Sequence, residues 1–288
     1  MQAISPDRQP RVKSAERVLD IVEALARDPR GLTFTDLLRV LQLPKSSLHE
    51  LLRVLTERGY VEYDPASHLY MLGIRVWESG QAYLRHHDLV REALPVMESI
   101  VGRINETVQL AILDGFENVY LAKVDSSHPL RLQSEVGRRL HAHATGLGKV
   151  LLAHLSHDEL IRRLDGTSLP RFTSHTLTDQ VQLLEELGRI GERGFALDAQ
   201  EYTAGLCCVA VPIYHSSSRV IAAMSVSIPV TRADIELFST ALCLLAEGSL
   251  RITRRLGGRV DGIRLAQLRD QATARDALAP LFHHLVQR

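Results

Sequence analysis

Between Pro44 and Gly59, leucine falls at Leu48, Leu51, Leu52 and Leu55, the i, i+3, i+4, i+7 spacing of a helix with one apolar face. Its other face is polar: Lys45, Ser46, Ser47, His49, Glu50 and Arg53. A helix this short is marginal in water, so its leucines need neighbours to bury against. The chain supplies them on both sides. Upstream, Val18, Leu19, Ile21, Val22 and Leu25 share a helical face that ends at Asp28-Pro29-Arg30-Gly31, with Ser14 read as N-cap and Glu16 in the first turn. A second short helix starts at Thr33, with Asp36 completing a capping box and Phe34, Leu37, Leu38 and Leu41 as its buried side. Downstream, Tyr60–Tyr63 and His68–Met71 alternate like strands about the turn residues Asp64-Pro65-Ala66-Ser67.

Three short helices and a hairpin match a winged helix-turn-helix, in which the third helix enters the major groove. Periodicity alone leaves two readings open for the polar face of that helix, a DNA-reading surface or a solvated one. Charge does not decide between them. Residues 1–64 hold ten basic and ten acidic side chains, and the whole chain 34 of each. DNA binding therefore requires polarised placement, and Arg8, Arg11, Lys13 and Arg17 do crowd the start of the first helix.

Three cysteines, two of them adjacent, exclude a disulfide scaffold, and no apolar run approaches the roughly 18 residues of a membrane span. With no signal peptide visible, the expected location is the cytoplasm. After the hairpin, residues 74–85 read as a linker helix with Val76, Trp77, Ala82 and Tyr83 as contact candidates, and a further helix runs to Ile104, which Pro95 should kink or break. Strands at 107–113 and 118–124 flank the hairpin turn Asp114-Gly115. Helices at 146–155, 158–164 and 179–193, strands near 195–198, 208–214 and 220–228, and a long helix at 232–256 complete an α+β domain. Five segments result: a flexible lead (1–10), the winged helix-turn-helix (11–72), the linker helix (73–87), an antiparallel-sheet domain (88–256) and an extension (257–288).

Ser14-Ala15-Glu16-Arg17-Val18-Leu19-Asp20-Ile21, Leu43-Pro44-Lys45-Ser46-Ser47-Leu48-His49 and Gly59-Tyr60-Val61-Glu62 together resemble the IclR family of bacterial transcriptional regulators. Asp125-Ser126, Val136-Gly137-Arg138-Arg139, residues 143–149, residues 193–198 and residues 205–212 are similar to its effector domain, so the resemblance spans about 11–256. It implies a regulator, expected to repress, that binds operator DNA as a dimer or dimer of dimers and senses a small organic or aromatic acid in a GAF-like domain. The DNA-facing set is then Arg11, Lys13, Arg17, Thr35, Lys45, Ser46, Ser47, His49, Glu50 and Arg53. The effector pocket implied by the match is Gly146, Leu147, Asp198, Cys208, Ser225 and Ser227. That set suits an anion: helix N–H groups start at Gly146, and the two serines share one face of a strand. Three positions depart from the family pattern. Gln42 replaces a usual glycine, Glu50 stands where a basic residue is common, and Gly146 replaces a frequent alanine.

Three other readings of the second domain compete with a pocket. Cys208 with His143 and Asp198 would make a thiol hydrolase, the alternative function. His141 and His143 would supply two ligands to a soft metal, which is not a site. The segment 145–150 lacks the first glycine and the Ser/Thr of a phosphate loop, and no cofactor is expected. In the extension, Ile263, Leu265, Leu268, Leu278, Leu281, Phe282, Leu285 and Val286 predict two helical pieces divided by Pro280, serving subunit contact or lying loose.

Overall fold

The first helix, α1 (Lys13–Arg27), begins because the Val12 carbonyl accepts from the N–H groups of Ala15 and Glu16 at 2.9 and 3.2 Å. Ser14 therefore lies inside the first turn and is not the cap expected from its residue type. The computed structural model describes residues 12–86, 88–129, 135–215, 219–259 and 264–286, of whose side chains those at 81–86, 88, 284 and 286 are left aside. The lead, Arg8 and Arg11, and Ile263 lie outside the described residues, as do the side chains of Ala82, Tyr83 and Val286. The chain divides into two compact units, 1–86 and 87–288.

In the first unit, a two-residue strand β1 (Leu32–Thr33) precedes α2 (Phe34–Leu41). Thr33 Oγ1 accepts from Asp36 N at 3.1 Å and Thr33 N donates to Asp36 Oδ2 at 3.3 Å, the reciprocal capping box the sequence predicts. Gln42 ends α2 with φ 51° and ψ 35°. A left-handed non-glycine residue costs about 1–2 kcal/mol, so the departure at Gln42 is a real backbone strain. Helix α3 (Lys45–Glu57) follows, then β2 (Val61–Asp64) and β3 (Leu69–Leu72), and β1 adds to the hairpin in the order β1-β3-β2. Leu48, Leu52 and Leu55 are buried with Ile21, Leu25 and Leu37, while Leu51 packs at their edge. Helix α4 (Ile74–His86) closes the unit, with Ile74 and Trp77 exposed.

The second unit is a six-stranded antiparallel sheet made of β4 (Thr107–Asp114), β5 (Glu117–Val124), β6 (Arg139–His141), β7 (Ala196–Ala199), β8 (Leu206–Tyr214) and β9 (Val220–Pro229). Its spatial order is β6-β5-β4-β9-β8-β7. Helices α5 (Asp88–Ile104) and α9 (Ile235–Arg255) cover one face, packed on Val108, Leu110, Val209, Val211, Met224 and Val226. Helices α6 (Gly146–Ala153), α7 (His157–Leu164) and α8 (Gln180–Arg193) cover the other, over Ala111, Tyr120, Ala196, Ala210 and Ala223. The small residues of that second face let α6 approach closely. A β-carbon at Gly148 would lie 2.3 Å from the backbone of Ala142, so only glycine fits there.

Two prolines behave differently from expectation. Helix α5 continues through Pro95, held by the burial of Ala93, Val96, Met97 and Ile100 against the sheet. In the extension, a 3-10 segment at Arg264–Arg269 is followed by α10 (Gln271–Val286), which runs through Pro280. The division falls at Asp270, whose carboxylate accepts from Thr273 N at 2.9 Å and starts the helix. Leu265, Leu268, Ala274, Leu278 and Leu285 are buried in the same cluster as α5 and α9. The extension is thus part of the domain core and not a loose tail. Leu278 is fully buried. Leu278→Ala is expected to lower the unfolding free energy by about 2–5 kcal/mol, read by denaturant titration of the full chain.

Candidate functional site

On α3 the exposed face carries Lys45, Ser46, His49, Glu50 and Arg53, with Ser47 half-buried. Arg17, from α1, donates through Nη1 to Ser47 Oγ at 3.0 Å, so two residues distant in sequence share one place. Lys13 lies at the start of α1 and Thr35 in the first turn of α2, both exposed. Arg53 is not a free cation on this face. Its Nε and Nη2 donate to Glu50 Oε2 at 3.2 and 3.0 Å, and its Nη1 to Glu57 Oε1 at 2.7 Å. Glu50 therefore occupies the guanidinium expected to reach phosphate or guanine.

In the second unit a cavity of about 420 Å³ opens on the sheet face under α6. It is lined by Gly146, Leu147, Asp198, Cys208 and Ser225 of the expected set, joined by Gln109, Tyr120, Arg138, Thr145 and the loop from Tyr202 to Leu206. The pairing explains the convergence. Asp198 lies opposite Cys208, Cys208 opposite Ser227, and Ser225 opposite Gln109, so the polar groups form adjacent rows across neighbouring strands. Ser227 is not in the lining. It donates to Gln109 Oε1 at 2.8 Å and lies 3.2 Å from Cys208 Sγ, while Ser225 also donates to Gln109 Oε1 at 3.2 Å. The two serines fix the Gln109 amide, which the sequence reading passed over. Its signal was present: a lone glutamine in an otherwise apolar strand, in phase with Ala111.

Thr145 positions the helix at the cavity. Its hydroxyl accepts from Gly148 N at 3.0 Å and donates to Asn118 Oδ1 at 2.8 Å, which ties the start of α6 to β5. Gly146 and Leu147 bring first-turn N–H groups to the cavity wall. A β-carbon at Gly146 would meet Ala210 Cβ at 3.4 Å and Asp198 N at 3.6 Å, so alanine fits there and glycine leaves extra room.

Asp198 is fixed by accepting from Glu201 N at 2.7 Å. Burial, reinforced by the Glu201 carboxylate and opposed by Lys149, pushes its pKa up to about 7. Glu201 is in turn bound by Lys149 Nζ, both side chains being almost fully buried. Lys149 is therefore committed to an internal ion pair, which disposes of the phosphate-loop reading on structural grounds as well. The hydrolase reading fails too. Burial pushes the Cys208 thiol well up, away from the thiolate a nucleophile needs, and its partner is Ser227. His143 instead lies fully buried, its Nε2 3.1 Å from the Pro170 carbonyl, in a cluster with Phe116, His141 and Phe172. Among the described residues no group of three or more His, Cys, Asp or Glu side chains is arranged to hold a metal ion. Nor is any described helix long and apolar enough to cross a membrane.

Comparison with known proteins agrees with both units. Residues 14–65 match the IclR helix-turn-helix domain and residues 81–254 the bacterial transcriptional regulator IclR C-terminal domain. The chain is 36% identical to the HTH-type transcriptional regulator XynR of Escherichia coli, over 86% of this chain and 98% of that one. It is 33% identical to the HTH-type transcriptional repressor AllR of Salmonella typhi, over 88% of this chain and 93% of that one. An IclR homolog from Microbacterium hydrocarbonoxydans, solved in complex with 4-hydroxybenzoate, superposes with a TM-score of 0.75 at 29% identity, covering 84% of this chain and 98% of that one.

The raised pKa of Asp198 has a thermodynamic consequence. Between about pH 4 and pH 7 the folded protein keeps a proton that the unfolded chain has lost. Stability carried by this group is therefore full below pH 4 and lost as pH rises through 7. Asp198→Asn is expected to flatten that part of the profile, measured as unfolding free energy against pH for both proteins.

Proposed function

The chain belongs to the IclR family of bacterial transcriptional regulators, and from that premise we propose that it represses its operator as a dimer, or dimer of dimers, and is controlled by a small organic or aromatic acid. The observation that carries the effector reading is the meeting of Asp198, Cys208, Ser225 and the first turn of α6 around one cavity. Its lining combines the Ser225 hydroxyl and the Gln109 amide with the first residues of α6 and the apolar Leu140, Leu147 and Leu206, a mixture that suits a small acid. With its pKa raised to about 7, Asp198 in its protonated form donates to such an acid. Similarity to a repressor and to a 4-hydroxybenzoate complex supports the same reading.

For DNA, paired α3 helices of a dimer read half-sites about 34 Å apart, and the effector changes affinity by altering that spacing. Lys45, Ser46, Ser47 and His49 contact base edges or phosphate near the α3 N-terminus. Arg17 backs Ser47, and Lys13 and Thr35 grip the phosphate backbone, as does Arg11. Arg53 and Glu50 act as a pair, with the carboxylate limiting attraction to phosphate and so limiting non-specific binding.

Two measurements test this. In mobility-shift titrations against its own upstream DNA, Lys45→Ala should weaken binding on all sequences and reduce the salt slope by about 1. An unchanged slope would remove Lys45 from the DNA interface. A panel of small carboxylic and aromatic acids should contain one that raises the melting temperature and releases the DNA, and Asp198→Ala should abolish both effects.

A further inference from the structure

Tyr120 lines the cavity, yet the effector residues considered so far make no use of it. A β-bulge puts it there. β4 and β5 pair in one register as far as Leu110 opposite Ala122, then shift so that Ala111 faces Tyr120, which leaves Leu121 as the extra residue. An unbroken ladder would set Leu121 opposite Ala111. The bulge sets the tyrosine there instead, on the face covered by α6, while Leu121 and Ala122 pack with the α5 and α9 side. The other edge of β5 holds the same residue by its main chain: Gly137 N donates to Tyr120 O at 2.8 Å and Tyr120 N to Arg138 O at 3.0 Å. The ring then packs in one cluster with Leu140 and Leu147, both of which also line the cavity.

Tyr120 is only 3% exposed, and a buried tyrosine hydroxyl usually finds a partner. Among the described residues nothing hydrogen-bonds this one. Nor is it sealed in. It is not one of the fully enclosed side-chain atoms that lack a partner, so it opens on the space its ring lines. The groups that act on it show which way it points: Cys208 on β8, Asp198 on β7 and Tyr202 after β7, together with Arg138. The first three line the cavity from the far strands of the sheet, so the hydroxyl projects across the cavity toward the Asp198 side. Burial, with the Cys208 and Asp198 groups, pushes its pKa further up, and it stays a neutral O–H. What penalises a phenolate at this place penalises a ligand anion there too, and favours a neutral oxygen.

We propose that Tyr120 is a specificity-determining residue whose hydroxyl pairs with a hydroxyl of the effector, so that the ligand class is an acid carrying a hydroxyl group on its carbon frame. The carboxylate lies at the first turn of α6, and the ligand hydroxyl meets Tyr120. A hydroxyl fits this partner in either direction, because each O–H can both donate and accept. Leu140, Leu147 and the tyrosine ring cover the connecting carbons. This rests on the acid-effector reading of the same cavity.

Calorimetric titration of the full-length protein at pH 7 with matched acids tests it: 3- and 4-hydroxybutanoate against butanoate, and 3- and 4-hydroxybenzoate against benzoate. The expected result is that at least one hydroxy acid binds roughly tenfold more tightly than its parent, the scale of one well-made hydrogen bond. Tyr120→Phe removes the hydroxyl and keeps the packed ring, so it should erase that preference by weakening the hydroxy acid alone and leave the parent acid's affinity as it was. Equal binding of the two series to the native protein, or a preference that survives Tyr120→Phe, overturns the assignment of Tyr120 while leaving the acid cavity intact. Failure of every acid in both series to bind overturns the acid-effector reading and this inference with it.

Discussion

The buried Lys149–Glu201 pair is the interaction on which the sensing site depends. Two charges taken out of water are costly unless each is well partnered, and breaking such a pair leaves an uncompensated charge inside. Here the cost is offset by position. Lys149 belongs to α6, and Glu201 to the turn after β7, so the pair anchors the helix to the edge of the sheet. Glu201 is also the residue whose N–H holds the Asp198 carboxylate, and its own Oε1 accepts from Ala199 N at 3.3 Å. One ion pair thus ties the helix whose first turn lines the cavity to the loop that holds Asp198. The pair also acts on that group from both sides: the Glu201 charge adds to burial in raising the Asp198 pKa, and the Lys149 charge opposes it.

Much of this was legible in the sequence, for identifiable reasons. The Thr33–Asp36 box and the leucines of α3 are local signals, decided within one or two helical turns. The alternation of β4 and β5 about Asp114-Gly115 is equally local. What the sequence concealed is non-local. Glu201 lies 52 residues from Lys149, and nothing in either neighbourhood announces the other. Gln109 is unremarkable until β4 and β9 pair and set it between Ser225 and Ser227. Ser14 looked like a cap because serine usually is one, yet Val12 supplies the backbone acceptors first. The sequence predicts a kink or break at Pro95 and a division at Pro280, and tertiary burial on either side keeps both helices continuous through them. The strand β1 has two residues and no period to detect.

The DNA-reading unit shows how zero net charge is compatible with a polyanionic partner. Arg53 is flanked by Glu50 and Glu57, one turn before and after it, so its charge is locally cancelled. Lys45, Ser46 and His49 lie at the N-terminal end of the same helix, with Arg17 beside Ser47. Attraction to phosphate is thus concentrated near one end of α3 and damped toward the other. Exposed ion pairs of this kind contribute little to stability, and their effect is on where the field points. Its balanced charge limits the sequence-independent attraction to DNA.

The extension alters how the sensing domain is built. The family match ends at residue 254, while the core continues. Leu265, Leu268 and Leu278 bury themselves against α9, and Cys207 Sγ, on β8, lies 3.4 Å from the Leu285 carbonyl. The face of β8 opposite the cavity is therefore covered by residues outside the family domain, and Cys207 and Cys208, adjacent in sequence, report to different surroundings. One side of the strand carries the cavity-lining Cys208, the other carries the contact with α10.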